Sequence, residues 1–246
     1  CTGGSLTFTA TGAGSYTWTN PTSNNTIVTV SPTANTTYSV TGKTALGCAG
    51  NTATLAVTVN TIPVISATGA ATVCNGNSLT LTASGGATYL WSNGGTNATI
   101  APSPSVNTTY TVTGVSAQGC SGNTASLAVT VYSAPVVNIT GTTALCTGQT
   151  IVLTANGASS YTWSTAANTT TISVAPTSAT SYSLRGTSTQ GCLSNTVAQA
   201  VAVYSLPVVS ITGPSTLCVG QSVVLNANGA NTYTWNSGSG ATSLTV

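Results

Sequence analysis

Seven cysteines carry most of the reactive chemistry in this chain, and their spacing is regular. Cys1, Cys74, Cys146 and Cys218 follow one another by 73, 72 and 72 residues, while Cys48, Cys120 and Cys192 follow by 72 each time. Seventeen residues after each member of the first set stands a tryptophan: Trp18, Trp91, Trp163 and Trp235. A fixed period of this kind marks a tandem array. Thiols can ligate a metal or form disulfides. Zinc sites favour His partners or closely spaced Cys pairs, and the chain has no His and no Cys-x-x-Cys. Disulfides are therefore expected, and with them an oxidising compartment. Because a repeat that folds on its own must pair within itself, the pairs expected are Cys1 with Cys48, Cys74 with Cys120, and Cys146 with Cys192. Cys218 is left to a partner outside the chain. A loop of roughly 47 residues would contribute about 4 kcal/mol through loop entropy, a large share of the stability of so small a domain.

Other chemistry is short of reagents. There is no Asp, Glu or His, and only Lys43 and Arg185 are charged among 246 residues, against about 25% in an average chain. General acid and base catalysis has almost nothing to work with. Serine and threonine are abundant, but a hydroxyl nucleophile needs a base beside it. Calcium sites need carboxylate oxygens. No catalytic residue, cofactor or metal ligand is expected, and the reading is of a protein that is not an enzyme. A net charge of +2 is too small for a nucleic-acid footprint or for electrostatic attachment to a membrane. No run approaches a membrane span of about 18 apolar residues. Lys43 and Arg185 fall at different repeat positions and read as solvated surface residues. Composition still favours folding, since 41% of residues are hydrophobic and there are four Trp and nine Tyr.

The elements that carry these residues read as strands. Leu79, Leu81 and Ala83 alternate with Thr80 and Thr82, the pattern of a half-buried strand, and Leu6, Phe8 and Ala10, or Val223, Leu225 and Ala227, repeat it. The next segment places Tyr16 with Trp18, Tyr89 with Trp91, Tyr161 with Trp163, and Tyr233 with Trp235. Residues two apart share a strand face, so these aromatic pairs are expected in the core rather than as a platform for stacking sugars. Val28 and Val30, or Ile172 and Val174, begin a strand that stops at Pro32, Pro104 or Pro176. Two further strands carry Tyr110 and Val112, then Val129 and Val131. Helix formers such as Glu, Met and Lys are absent or nearly so. Short links lead from one unit to the next through Tyr132 to Pro135 and through Tyr204 to Pro207, with Pro63 at the first joint. Proline restricts itself and its predecessor, so the joints are expected to be stiff, with Tyr132 and Tyr204 packed against the neighbouring unit. The boundaries read are 1–60, with an N-terminal strand missing, then 61–132, 133–204, and a partial unit at 205–246. The chain reads as a window cut from something longer. Asn35, Asn97, Asn107, Asn138 and Asn168 lie in Asn-x-Ser/Thr sequons.

A cysteine, a core Trp, a Tyr before the closing strands and a second cysteine in a unit of seven-strand size resemble an immunoglobulin-like β-sandwich. More narrowly, Cys-Asn-Gly-Asn-Ser-Leu-Thr-Leu-Thr-Ala at 74–83, then Tyr-Leu-Trp-Ser, Asn-Thr-Thr-Tyr-Thr-Val-Thr-Gly and Gln-Gly-Cys, resemble the Ig-like and PKD-like repeats of large secreted and surface proteins of Bacteroidota. The resemblance implies an all-β tandem array of Ig-like domains of about 72 residues and export through the outer membrane, often by a type IX system. In antibody-type domains the second cysteine follows the tyrosine by about two residues, whereas here it follows by ten. Each intradomain bridge is therefore expected at an edge or end of the sandwich. The expected role is structural, an extracellular fibre or surface stalk that self-associates or continues as a longer chain. The alternative is an adhesin that binds glycan or another cell surface through one or more repeats.

Overall fold

A computed structural model describes residues 1–246 as strands and turns without a helix, so no helix is long and apolar enough to cross a membrane. The first repeat contains β1 (Leu6–Thr9), β2 (Ser15–Thr19), β3 (Thr22–Ser23), β4 (Ile27–Val30), β5 (Thr36–Lys43) and β6 (Ala49–Val57). The second contains β7 (Ser66–Gly69), β8 (Thr72–Cys74), β9 (Leu81–Ser84), β10 (Thr88–Trp91), β11 (Thr99–Ile100), β12 (Thr108–Val115) and β13 (Ala125–Tyr132). The third repeats that order as β14 (Asn138–Gly141), β15 (Ala144–Cys146), β16 (Ile151–Asn156), β17 (Ser160–Trp163), β18 (Thr171–Val174), β19 (Thr180–Thr187) and β20 (Val197–Tyr204). The fourth contributes β21 (Ser210–Thr212), β22 (Val224–Asn228) and β23 (Ser243–Thr245).

The second and third repeats are complete seven-stranded sandwiches. One sheet has the order β11-β9-β7, facing another of order β10-β12-β13-β8; in the third repeat these become β14-β16-β18 and β15-β20-β19-β17. The short first strand of each four-stranded sheet runs parallel to the last, with Cys74 beside Tyr132 and Cys146 beside Tyr204, while the remaining pairings are antiparallel. This is a tandem array of Ig-like sandwiches. Alternation sets the register: in β16, Ile151, Leu153 and Ala155 are buried while Val152 faces out. Val112, Leu81, Val129 and Trp91 fill the second core, and Leu184, Leu153, Val201 and Trp163 the third.

By contact density the chain forms two compact units, Cys1–Ser133 and Ala134–Val246. The first holds repeats one and two. The second holds repeat three and the fourth repeat's single sheet of order β21-β22-β23. The first repeat differs from its successors at one edge, because β1 pairs only with β4.

Candidate functional site: a disulfide between successive repeats

Two small pieces of local structure recur at the cysteines. The first kind of cysteine ends the short parallel strand, beside the last residue of its repeat. There the following amide donates to the carbonyl of that last residue: Asn75 to Tyr132 at 2.8 Å, Thr147 to Tyr204 at 2.9 Å, and Thr2 to Asn60 at 3.0 Å. The second kind closes the hairpin before the last strand. In that turn Ser116 N donates to the Cys120 carbonyl at 2.9 Å, Gly119 N to the Ser116 carbonyl at 2.9 Å, and Cys120 N to Ser116 Oγ at 3.1 Å. Thr44 to Cys48 and Ser188 to Cys192 form the same turn. The turn needs left-handed backbone at Gly47, Gly119 and Gly191, with φ of 85°, 80° and 82°, which glycine adopts without a Cβ penalty.

These positions overturn the expected pairing. Within the second repeat Cys74 is level with the end of β13, whereas Cys120 precedes its start. The intervening strand has eight residues, so at about 3.3 Å per residue the cysteines stand roughly 25 Å apart, well past the reach of about 7 Å between Cα atoms. The end of one repeat instead meets the hairpin of the next. Cys1 is bonded to Cys120, with Cα atoms 5.6 Å apart across 119 residues of sequence. Cys74 and Cys192 are disulfide-bonded as well. Cys48, Cys146 and Cys218 carry free thiols. None of the expected pairs Cys1–Cys48, Cys74–Cys120 and Cys146–Cys192 is formed, because Cys1 of the first repeat is bonded to Cys120 of the second and Cys48 and Cys146 are free.

The joint within the first unit is held by more than sulfur. Asn123, three residues after Cys120, receives the Ile65 amide on Oδ1 at 2.7 Å and returns Nδ2 to the Ile65 carbonyl at 3.0 Å. A Cβ on Gly122 would lie 2.6 Å from the Pro63 carbonyl oxygen and 2.7 Å from Ile65 Cγ1, so the glycine lets the connecting segment lie directly on the hairpin's foot. Pro63 and Pro135 are half-buried, while Pro207 is exposed. Tyr132 is half-buried. Tyr204 is 61% exposed, against its expected packing on the following repeat. Asn123 was not legible as a joint residue from sequence, although its repetition as Asn51 and Asn195 was an available sign.

The aromatic pairs have separate tasks. Trp18, Trp91 and Trp163 are buried, and each indole Nε1 donates to a backbone carbonyl six or seven residues on, at 2.9 to 3.0 Å. Trp235 makes the same bond at 2.8 Å but is only half-buried. The tyrosine hydroxyls of Tyr16, Tyr89, Tyr161 and Tyr233 each accept the amide three residues earlier, at 2.8 to 3.1 Å, and so fasten the turn that leads into the Trp strand. Tyr161 is buried, whereas Tyr16, Tyr89 and Tyr233 are half-buried. Of the sequon residues, Asn35 and Asn107 receive the amides of Val59 and Val131 on Oδ1, each at 2.8 Å. Lys43 and Arg185 are exposed.

No protein-family model matches the chain, and no curated protein does. Among solved structures it is similar to three N-terminal domains of the highly immunogenic outer capsid protein of bacteriophage RB49, at 16% identity and a TM-score of 0.33 over 68% of this chain and 67% of that one. It is also similar to the FN1–FN3 domains of chicken CNTN1, at 14% identity and a TM-score of 0.24 over 80% and 87%. A third likeness is to Escherichia coli alpha-2-macroglobulin, at 10% identity and a TM-score of 0.25 over 81% of this chain and 27% of that chain.

Proposed function

We propose that this chain is a non-catalytic structural segment of an extracellular fibre or surface stalk, in which disulfides lock successive Ig-like repeats to one another. The observation that carries the reading is the Cys1–Cys120 bond between neighbouring repeats. A bridge inside one sandwich would stabilise that sandwich alone. A bridge between two fixes their relative orientation and passes tension from one to the next through a covalent bond. The repeats are read as domains at 1–60, 61–132, 133–204 and 205–246, so that the Cys1–Cys120 crosslink spans the first boundary. Disulfides belong to oxidising compartments, which supports export, by the route that the resemblance to Bacteroidota surface repeats implies. The absence of Asp, Glu and His from the sequence removes the usual acids and bases of catalysis. A surface with so little charge lacks repulsion between copies, and low net charge favours association. Electron microscopy of the oxidised protein at high concentration tests the proposal. Filaments or end-to-end strings are expected, and monodisperse single particles would contradict it.

A further inference from the structure

Four Asn-Gly dipeptides stand in this chain, at Asn75–Gly76, Asn93–Gly94, Asn156–Gly157 and Asn228–Gly229, and the fibre reading uses none of them. Their chemistry needs no other side chain. The backbone nitrogen of the glycine attacks the side-chain carbonyl carbon of the asparagine, expels ammonia and closes a succinimide ring, and glycine favours this step because it has no Cβ to crowd the approach. Water then opens the ring at either carbonyl and leaves aspartate or isoaspartate. The attack requires a peptide unit that can rotate and a glycine amide that is not already donating.

Three of the four sites fail that requirement. Gly94 N donates to the Trp91 carbonyl at 2.9 Å and Asn93 Oδ1 accepts the Gly95 amide at 3.1 Å, so nucleophile and electrophile are both occupied. Asn156 ends β16 opposite Asn138, with its Nδ2 donating to Thr140 Oγ1 at 3.3 Å. A Cβ on Gly157 would fall 2.0 Å from the Val136 carbonyl oxygen, so its backbone is pressed against the neighbouring chain. Asn228 and Gly229 repeat this arrangement with Thr212 and Val208. Asn75–Gly76 is placed differently. Asn77 N donates to the Cys74 carbonyl at 3.0 Å and Gly76 has φ of 82°, which makes a type II β-turn with the Asn75–Gly76 peptide at its centre. Asn75 N is held by the Tyr132 carbonyl at 2.8 Å. Neither bond uses the central peptide, so it can rotate while both persist. Asn75 and Gly76 are exposed, and a Cβ on Gly76 would meet nothing within 4 Å.

We propose that Asn75–Gly76 is a self-modification site, at which the folded protein converts Asn75 to isoaspartate and aspartate without an enzyme. Water is the only co-reactant: the side-chain amide nitrogen leaves as ammonia and an oxygen takes its place. The product changes the molecule in two ways. It brings the first carboxylate side chain into a chain with no Asp or Glu, and lowers the net charge of +2 by one. Isoaspartate also routes the main chain through the former side chain, which lengthens the turn by one carbon and breaks its Asn77 to Cys74 bond, directly beside a disulfide-bonded cysteine. The turn itself has no need of asparagine. The third repeat builds it with Thr147 and Gly148, where Gln149 N donates to the Cys146 carbonyl at 3.0 Å and Gly148 has φ of 89°. The extent of conversion at Asn75 therefore records the age of each chain, and this holds whether or not the chain forms fibres.

The full oxidised chain, aged in mildly alkaline buffer made with heavy-oxygen water and mapped as peptic peptides by mass spectrometry, tests the proposal. Label should enter Asn75 at least about tenfold faster than Asn93, Asn156 or Asn228, the factor implied by the two or so interactions that the other sites must first give up. Isoaspartate should exceed aspartate at Asn75, the signature of a ring intermediate. Unfolding in guanidinium should bring the four rates together, because the protection lies in the fold. Thr147→Asn, which sets the same dipeptide in the third repeat's turn, should acquire label at that position about as fast as Asn75 does. Equal rates at the four sites of the folded protein would overturn the proposal, as would aspartate without isoaspartate at Asn75. Selectivity that survives unfolding, or no label at the substituted position of Thr147→Asn, would equally overturn it, since the turn would then not be what admits the attack.

Discussion

Cysteine identity and spacing were readable residue by residue, but the partner of each cysteine was not, because partnership depends on which end of a strand a residue occupies. Cys120 and Cys192 are fully buried while Cys48, the same hairpin residue without a partner, is exposed. The Trp positions were plain from their recurrence, and the expectation of core packing rests on the period-two pairing with tyrosine. Trp163→Ala should cost roughly 3–5 kcal/mol, the range for deleting a large buried aromatic, measured by denaturant unfolding. Trp235→Ala should cost clearly less, since that ring is only half-buried. Asn123→Ala would leave the Ile65 amide and carbonyl without their partners. A loss of about 1–3 kcal/mol is expected, with faster amide exchange at Ile65; unchanged exchange there would remove the clamp from the joint.

At the level of elements, strand number and class were legible because apolar alternation, proline stops and glycine turns agree across repeats. Less legible was the split of the repeat's first segment into two strands that join different sheets, as β7 and β8 do. Its second piece is three residues long, too short for any periodicity, yet it decides where Cys74 lies. Had the parallel pairing of β8 with β13 been foreseeable, pairing within a repeat would have been excluded by distance alone. The joint between the first two repeats should accordingly depend on oxidation. Reduction, or Cys120→Ser, should leave the near-UV circular dichroism of the sandwiches largely unchanged, because neither core contains the bond. Cleavage by a broad-specificity protease should then increase selectively between Asn60 and Val64. Uniform loss of structure on reduction would instead mean that the disulfide supports folding of the repeats themselves.

At the scale of the whole molecule, composition is the strongest statement. With no Asp, Glu or His, almost nothing titrates between about pH 3 and pH 8, so folded and unfolded chains bind nearly equal numbers of protons there and stability should be nearly flat. A thermal midpoint that moves strongly across this range would contradict that. Trypsin has only two target residues, Lys43 and Arg185, and both lie in strands, β5 and β19, so native protein should resist it. The repeat period was readable from end to end, whereas the linkage between repeats required the positions of strand ends. That linkage is what joins the first repeat covalently to the second. Disulfide mapping by mass spectrometry of the unreduced protein, after pepsin digestion at low pH to prevent exchange, tests it most directly. A peptide joining Cys1 to Cys120 is predicted, and a peptide joining Cys74 to Cys120 would contradict it.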